Sequence, residues 1–316
     1  MITLITLSVH IFQIFLALLV APFLMGLIHV VQARLQGQRG ASILQPYFDI
    51  RKWLVKEAFQ PMTASWIFLL APYLLVATLL LGIWLTPLVA IAPPAEFGGD
   101  AIMLVYLYLF GTLFLVLAGF ESRSHLAILS TGRRLVVFAL SSSVLLTSIL
   151  ALALRTGTSD LAGIASYVHA NPLIVADPSY LLTMTACVLA MLAEIGGGPL
   201  ENRRSSSALA LIQEAVVREY TGLYLALIRL AEALRLFLFI GLFCSLFLPW
   251  GAATDLQLVS LFWGGLILVL KLLVFVVALA IFEMFTTTLH LRHTGLFAGV
   301  GFILALLAMI ASCFSI

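Results

Sequence analysis

Charged residues lie inside stretches of this sequence that are otherwise almost entirely apolar, and three of them share one helical face. Arg229, Glu232 and Arg235 follow one another at intervals of three residues, so in a helix they project within an arc of about 120°. Lys271 stands alone in the middle of another apolar stretch. An isolated charge at the centre of a bilayer costs about 2.5–3.5 kcal/mol, so each of these groups needs a partner or water. We expect Glu232 or a bound water to neutralise Lys271, within either a proton-conducting polar axis or a structural cluster that fixes helix register.

The carboxylate of Glu194 comes just before a sequence that must break a helix. Three glycines and a proline occupy 196–199, and a broken helix at membrane depth is tolerated only around protein or a water-filled cavity. A carboxylate beside such a break is a candidate proton-exchange site. Further acids follow at Glu201, Glu214 and Glu219, for which solvated surface carboxylates are an equal alternative.

The sequence contains no arrangement of residues that could hold a metal or a cofactor by itself. Its three cysteines, Cys187, Cys244 and Cys313, lie far apart in apolar stretches, without a CxxC pair. His290 and His293 stand three residues apart without a third candidate ligand nearby, so we interpret them as an interfacial pair. We therefore expect no cofactor in this chain.

Membrane-spanning helices must position these groups. Of 316 residues, 63% are hydrophobic and 9% are charged, whereas soluble domains carry about 25% charged residues. This composition excludes a soluble enzyme, a nucleic-acid-binding domain and a secreted disulfide scaffold. At about 20 apolar residues per crossing, it predicts an all-α, polytopic integral membrane protein with eight transmembrane helices in a single domain, 1–316. The predicted spans are 4–31, 66–92, 101–120, 135–154, 179–197, 222–248, 258–283 and 295–315.

The loops between these spans differ strongly in charge. The odd-numbered loops contain twelve Arg and Lys residues, whereas the even-numbered loops contain only Arg155. The positive-inside rule therefore predicts that the odd loops are cytoplasmic and that both termini lie on the non-cytoplasmic side. The predicted cytoplasmic loops are 32–65, 121–134, 194–221 and 283–294.

The first of these loops has a helical period from Ile43 onward. One arc of this helix carries Ile43, Leu44, Tyr47, Ile50 and Leu54, and the opposite arc carries Gln45, Asp49, Lys52 and Lys56. An amphipathic helix on the membrane surface, with its lysines on lipid phosphates, is one interpretation. Because Arg51 projects at the edge of the apolar arc, the alternative is that Arg34, Arg39 and Arg51 face a partner protein.

Several segments along the whole chain resemble one known family. The loop-one sequences ARLQGQRG (33–40) and LQPYFDIRKWLVKE (44–57) resemble the membrane-anchor subunit shared by respiratory complex I (its H subunit) and the group 4 membrane-bound [NiFe] hydrogenases, such as formate hydrogenlyase. The segment AEIGGGPLENRRSSSALALIQEAVVREYTG (193–222) aligns to the acidic fifth loop of that family, and Lys271 and the Phe-Glu pair at 282–283 also correspond. The sequence is thus identified as a divergent member, closer to the hydrogenase branch.

This resemblance implies a non-catalytic subunit of a multisubunit oxidoreductase in the bacterial or archaeal cytoplasmic (inner) membrane. The subunit would dock the peripheral electron-transfer arm and link it to antiporter-like proton-translocating subunits. The implied partners are those antiporter-like subunits, small membrane subunits, peripheral hydrogenase-like and iron–sulfur subunits, and lipid, with no nucleic acid. Iron–sulfur clusters, and a NiFe centre in the hydrogenase branch, would belong to the partners. Quinone binding is implied only by the complex I branch.

Together with the charges inside the spans, the resemblance assigns candidate roles to two sets of residues. The proton-path candidates are Glu194, Glu201, Glu214, Glu219, Glu232, Lys271 and Glu283. The candidates for docking the peripheral arm are Arg34, Arg39, Asp49, Arg51, Lys52, Arg123 and Tyr220.

The sequence departs from the family pattern at several charged positions. Ser124 replaces the Glu of a Ser-Arg-Glu motif, Gly132 replaces a second acid, Gly197 replaces a basic residue and Ala208 replaces a Glu. These losses leave a scaffold paralogue without a working proton path as an alternative. An independent secondary transporter, with the broken fifth span lining its substrate site, is the third hypothesis.

Overall fold

The computed structural model describes residues 2–58, 65–91, 100–122, 124–195, 215–254, 257–286 and 294–314. Within these ranges the protein is helical, as predicted, and extended pairing is confined to two isolated bridges, Ala90 with Ala253 and Asp100 with Asp160. In chain order the helices are α1 (Ile2–Leu35), α2 (Gln45–Val55), α3 (Trp66–Leu85), α4 (Ala101–Glu121), α5 (His125–Thr156), α6 (Leu161–Ala170), a 3₁₀ helix (Pro172–Ala176), α7 (Pro178–Ile195), α8 (Ala215–Arg218), α9 (Gly222–Phe247), α10 (Leu258–Thr286) and α11 (Thr294–Phe314).

Seven of the described helices, α1, α3, α4, α5, α7, α9 and α10, are long and apolar enough to cross a bilayer. The eighth predicted span corresponds to α11, in which a shorter apolar stretch, Gly299–Cys313, is found among the described residues. Two boundaries differ from the hydropathy windows. Helix α5 begins at His125, so most of the predicted loop at 121–134 is helical, and α3 ends at Leu85 although the apolar window continues to residue 92.

Helix α9 lies at the centre of the bundle. It packs against α1, α2, α3, α6, α7 and α10, and it is buried throughout from Ala231 to Phe247, whereas only a third of the apolar window of α10 is buried. A helix that is apolar all round is expected in such a position. The large side chains of Phe237, Phe243 and Phe247 fill its second half and are fully buried. Glu232 and Arg235 on α9 are buried inside the protein, and Arg229 is partly buried.

The remaining long helices are arranged around α9 in two groups. Helices α5, α7 and α11 pack against one another, and α4 joins α5 to α3. Helix α1 packs against both α9 and α10. This arrangement brings α4, α5 and α7 to the same region of α9, and that region carries the charged residues.

Helix α2, in the first loop, is held against α1 and α9. The Tyr47 hydroxyl donates to the carbonyl of Leu19. Burial raises the pKa of this phenol above its ordinary value, and a backbone hydrogen bond at Phe23 opposes that rise. Gly222 begins α9 with φ of 58°, and a Cβ there would lie 2.8 Å from the carbonyl oxygens of Lys56 and Glu57. These contacts place loop one at the beginning of α9. We call this end of the bundle the loop-one side.

Candidate functional site

The carboxylate of Glu194 is the meeting point of four helices. It lies on the last turn of α7 and accepts hydrogen bonds from the hydroxyls of Tyr108 on α4 and Ser141 on α5. Arg235 on α9 forms an ion pair with it, with Nη1 3.3 Å from Oε1. All four side chains are buried. The carboxylate thus has an ionic partner and two hydroxyl donors, as a buried charge requires.

Glu194 lies deep in the bundle although it ends its own helix. Its partner Arg235 is thirteen residues from Gly222, which is about 20 Å along α9 at 1.5 Å per residue. The carboxylate therefore lies deep inside the bundle, and 196–199, where the sequence predicts a helix break, lie outside the described residues.

A second ion pair lies one turn away on α9. Arg229 Nη1 is 2.9 Å from Glu232 Oε2, at the i,i+3 spacing that the sequence showed. Arg134, on α5, is close enough to interact electrostatically with Glu194, Glu232 and Arg235. We call Glu194, Glu232, Arg134, Arg229 and Arg235, with Tyr108 and Ser141, the Glu194 cluster. Among the described residues it contains three guanidinium groups and two carboxylates.

Sequence reasoning missed three members of this cluster, namely Tyr108, Ser141 and Arg134. Arg134 was assigned to the third cytoplasmic loop, but α5 begins nine residues earlier, at His125. A signal was present, since Ser141 follows Arg134 by seven residues, or two helical turns, and so lies on the same helix face. Nothing in the α4 sequence distinguishes Tyr108 from its apolar neighbours.

Aromatic side chains cover one side of the cluster. The Tyr108 ring makes edge contacts with Phe138 and Phe239, with centroid distances of 5.7 and 5.0 Å. From Leu236 to Phe247, α9 carries no ionisable carboxylate or base, and this segment is buried throughout. The cluster therefore borders an apolar, buried segment of α9 on the side away from loop one.

Lys271, on α10, has partners of a different kind. Its Nζ donates to the carbonyl oxygens of Leu248 and Trp250, each at 2.5 Å. The predicted pairing of Lys271 with Glu232 is wrong, because Glu232 pairs with Arg229. Fifteen residues of α9 separate Glu232 from Phe247, or about 22 Å along the axis. The carbonyls just beyond the end of α9 occupy the position that the sequence assigned to a carboxylate.

These carbonyls belong to a non-helical junction between segments 86–91 and 248–254, which we call the loop junction. The Ile91 amide donates to the carbonyl of Ala253, and the Ala253 amide donates to that of Val89, both at 3.0 Å. Ser245 Oγ donates to the Pro87 carbonyl at 2.8 Å. Non-helical backbone inside a membrane bundle persists only when protein groups satisfy it, as they do here.

Helix α10 packs closely onto the loop junction. A Cβ on Gly264 would lie 2.8 Å from the Val89 carbonyl oxygen and 3.1 Å from the Ala253 nitrogen, so only glycine fits this contact. Gly251 turns the chain with φ of 86°, opposite Ile267. Between the loop junction and α10, a cavity of about 10 Å³ lies beside Lys271.

The other proton-path candidates are not brought together with this cluster by the described residues. Glu219 is partly exposed beside α8, and Glu283 lies on α10 with its side chain outside the described part. Glu201 and Glu214 lie outside the described residues. Their place in a path stays a prediction.

The docking candidates of loop one lie on an open surface. Arg34, Arg39, Arg51 and Lys52 are exposed, and Asp49 is half-buried and accepts a hydrogen bond from Gln45 at 2.9 Å. The exposed side chains Leu44, Phe48, Leu54 and Val55 add an apolar component to this surface. We call the exposed residues Leu44, Phe48, Arg51, Lys52 and Val55 the α2 face. Arg123 lies outside the described residues.

Tyr220, predicted to face the peripheral arm, is buried instead. Its hydroxyl donates to the carbonyl of Phe68 at 3.0 Å, and its ring stacks on that of Phe68 with centroids 4.1 Å apart. Burial, and secondarily the charge of Glu121, raises the pKa of Tyr220 well above the ordinary value of a tyrosine. Tyr220 therefore anchors the segment before α9 to α3.

No metal site is found among the described residues, where no three His, Cys, Asp or Glu side chains come close enough together to ligate an ion. Cys187 and Cys244 are buried and Cys313 is exposed, each as a free thiol. His290 and His293 lie outside the described residues.

Comparisons with known proteins agree with this architecture. A family model described as NADH dehydrogenase matches residues 7–314. Formate hydrogenlyase subunit 4 of Escherichia coli (strain K12) is 29% identical over 292 residues, which cover 92% of this chain and 94% of that protein. Hydrogenase-4 component C of the same organism is 31% identical over 270 residues, covering 84% and 83%. The H subunit of NADH-quinone oxidoreductase from Paraburkholderia phymatum is 27% identical over 241 residues, covering 73% and 67%.

A solved structure has the same fold. A chain in the structure of the membrane-bound sulfane sulfur reductase (MBS), an archaeal respiratory membrane complex, superposes with a TM-score of 0.78 at 20% identity. The match covers 97% of this chain and 99% of that chain. This protein therefore belongs to the NADH dehydrogenase family, which includes the H subunit of complex I, and it is a multi-pass membrane subunit of a complex I-like or group 4 hydrogenase-like respiratory complex.

Proposed function

We propose that this chain is the membrane anchor of its complex: it docks a peripheral electron-transfer arm and links that arm to antiporter-like proton-translocating subunits. The chain is non-catalytic by itself, and the iron–sulfur clusters, with NiFe in a hydrogenase-type arm, belong to its partners. In this proposal α11 is the eighth span and both termini face away from the cytoplasm. The basic residues of the predicted odd-numbered loops, eleven without Arg134, against one in the even-numbered loops, support that orientation.

The observation that carries the proton-linked part of the proposal is the set of partners around Glu194. Hydroxyl groups can donate and accept a proton, so Tyr108 and Ser141 give the carboxylate a route for proton exchange. Arg235 supplies the counter-charge. Ionisable groups inside a membrane are expensive to keep and mark proton or ion pathways. We assign proton exchange to Glu194 and Glu232, with Glu201, Glu214, Glu219 and Glu283 as candidates for its continuation.

The docking part of the proposal is supported by the α2 face. Exposed Arg51 and Lys52 lie beside the exposed side chains of Phe48 and Val55, and α2 itself is fixed against α1 and α9. A rigid element that presents cations next to apolar side chains suits a protein partner with acidic and apolar groups. Arg34 and Arg39, exposed in the segment between α1 and α2, extend the basic surface.

One observation favours a scaffold without proton traffic as the second candidate. Gly132 occupies a position where the family carries an acid, and a Cβ added there would have no atom within 4 Å. The chain thus has room for a carboxylate on α5 but lacks it, although Arg134 lies two residues away. A scaffold predicts that replacing Glu194 leaves proton translocation unchanged, whereas a proton path predicts that translocation falls.

The docking proposal is tested by purifying the complex through a tag on this chain and identifying the chains that accompany it. We expect wild type to retain peripheral iron–sulfur subunits and membrane subunits. Arg51→Glu with Lys52→Glu should release the peripheral arm and keep the membrane subunits, because it reverses two charges on the α2 face.

The matched control is Arg51→Lys with Lys52→Arg, which keeps both charges and should keep the arm. Retention of the arm by the charge-reversed variant would contradict docking on the α2 face. A wild-type chain that purifies alone and moves a solute in liposomes would contradict the anchor function itself and favour a secondary transporter.

A further inference from the structure

The ammonium group of Lys271 occupies a place where a free cation would otherwise be attracted. Its two acceptors, the carbonyl oxygens of Leu248 and Trp250, lie just beyond the C-terminal end of α9. The end of a helix carries a partial negative charge, and converging carbonyls are the groups that coordinate monovalent cations in membrane proteins. Main-chain carbonyls only accept hydrogen bonds, so these partners take no proton from the lysine.

We propose that Lys271 is a fixed positive charge that makes the half of this chain beyond the Glu194 cluster impermeable to protons and other cations. The role differs from the proton-carrying role that the sequence suggested for Lys271. It rests on the proposed function in one respect, since a subunit that exchanges protons at Glu194 must not let them escape through its opposite side.

The space between the Glu194 cluster and Lys271 is the first part of this barrier. Thirteen residues of chain separate Arg235 from Leu248, about 20 Å if counted at the helical rise. The described side chains of α9 in this interval are apolar apart from Cys244 and Ser245, and Ser245 is engaged with the Pro87 carbonyl. This part of α9 therefore offers water no chain of hydrogen-bond partners, and dry apolar surfaces oppose proton transfer.

The loop junction is the second part. Its backbone groups bond to one another across segments 86–91 and 248–254, and Gly264 lets α10 seal against it. The cavity beside Lys271 measures about 10 Å³, near the lower limit of about 10–15 Å³ for a single water. The cavity is partly open to the surface, but its small volume offers no room for the continuous chain of waters that a proton wire needs.

The fixed charge is the third part and the one that can be tested. A positive group beside a narrow passage raises the energy of an approaching cation, as an arginine or positive helix ends do in water channels. Lys271→Gln keeps a side chain that can donate to the two carbonyls but removes the charge. It therefore separates the electrostatic role of Lys271 from a purely structural one.

The experiment uses the whole complex in proteoliposomes without any redox substrate, so that only passive flow is measured. A pH difference is imposed and its decay is followed with a trapped pH indicator. We expect Lys271→Gln to accelerate the decay several-fold, Lys271→Arg to match wild type, and Asp255→Asn to match wild type. Asp255 lies outside the described residues and is the acid nearest to Trp250 in sequence, so this variant tests whether an ion pair sets the barrier.

The outcomes separate cleanly. If the pH difference decayed no faster in the Lys271→Gln complex than in wild type, the barrier proposal would be overturned and Lys271 would have a structural role only. A leak in Asp255→Asn equal to that of Lys271→Gln would overturn the fixed charge in favour of an ion pair. A fall in driven proton translocation without a passive leak would place Lys271 in the proton path and likewise overturn the proposal. The passive assay needs no turnover, so a failure of the proposed function would appear instead in the composition of the purified complex.

Discussion

The Glu194 cluster and the Lys271 site both hold charge inside the bundle, but they hold it with different chemical groups. Glu194 is bound by two hydroxyls and a guanidinium, all on side chains from other helices. The described partners of Lys271 are two main-chain carbonyls from the chain following α9. In the first region ionisable and proton-exchanging groups bind one another, whereas in the second a cation is bound by two carbonyls that do not titrate, with the thiol of Cys244 lining the same cavity.

This difference explains how one subunit can exchange protons in one region and block proton leakage in another. Groups that can change protonation together belong where protons move, and a cation locked onto carbonyls belongs where movement must stop. The two regions share α9, whose first half is charged and whose second half is apolar. If the Glu194 cluster and the Lys271 site had the same role, replacing a charged or hydrogen-bonding side chain in either region would change stability and proton translocation equally.

The largest effect is expected from removing the counter-charge of Glu194. Arg235→Met leaves a buried carboxylate without its ionic partner, and breaking a buried pair in this way costs about 3–5 kcal/mol. We expect a marked fall in the thermal unfolding midpoint of the purified complex. Arg235→Lys keeps the charge and should recover much of the loss. Equal midpoints for the Met and Lys variants would show that charge balance does not hold the Glu194 cluster together.

A smaller effect should distinguish two buried tyrosines, one in each region. Tyr108 donates to the Glu194 carboxylate, whereas Tyr180 donates to the Phe247 carbonyl at 2.8 Å. A hydrogen bond to a charged group contributes about 1.5–3 kcal/mol and one to a neutral carbonyl about 0.5–1.5 kcal/mol. Tyr108→Phe should therefore be the more destabilising change, and driven proton translocation should fall only in this variant. If Tyr180→Phe lowered stability and driven proton translocation as much as Tyr108→Phe, the distinction between the two regions would be contradicted.

Properties that depend on local sequence were predictable. Apolar windows identified the long helices, because the cost of leaving backbone groups unsatisfied in lipid permits little else. The spacing of Arg229 and Glu232 placed them on one helical face, and the ion pair formed at that spacing. The glycines and proline after Ile195 predict a helix break beside Glu194, and that break stays a prediction because 196–199 lie outside the described residues.

Properties that depend on how helices slide past one another were not predictable. Lys271 lies in the middle of its own apolar stretch, but its partners are set by where α9 ends, at Phe247, against the middle of α10. Hydropathy carries no information on that register. Tyr108 and Ser141 were missed for the same reason, because only the packing of α4 and α5 against α7 brings their hydroxyls to Glu194.

The proton-to-electron ratio of a Glu194→Gln complex tests the central claim most directly. The variant keeps the shape of the side chain and removes its charge and its capacity to take up a proton. The ratio is read from initial rates in proteoliposomes, with the donor and acceptor that the purified wild-type complex turns over, so that passive leak does not enter. We predict a clear fall relative to wild type, with the subunit composition of the complex unchanged. A wild-type ratio in an intact Glu194→Gln complex would contradict proton exchange at Glu194 and leave this chain a scaffold.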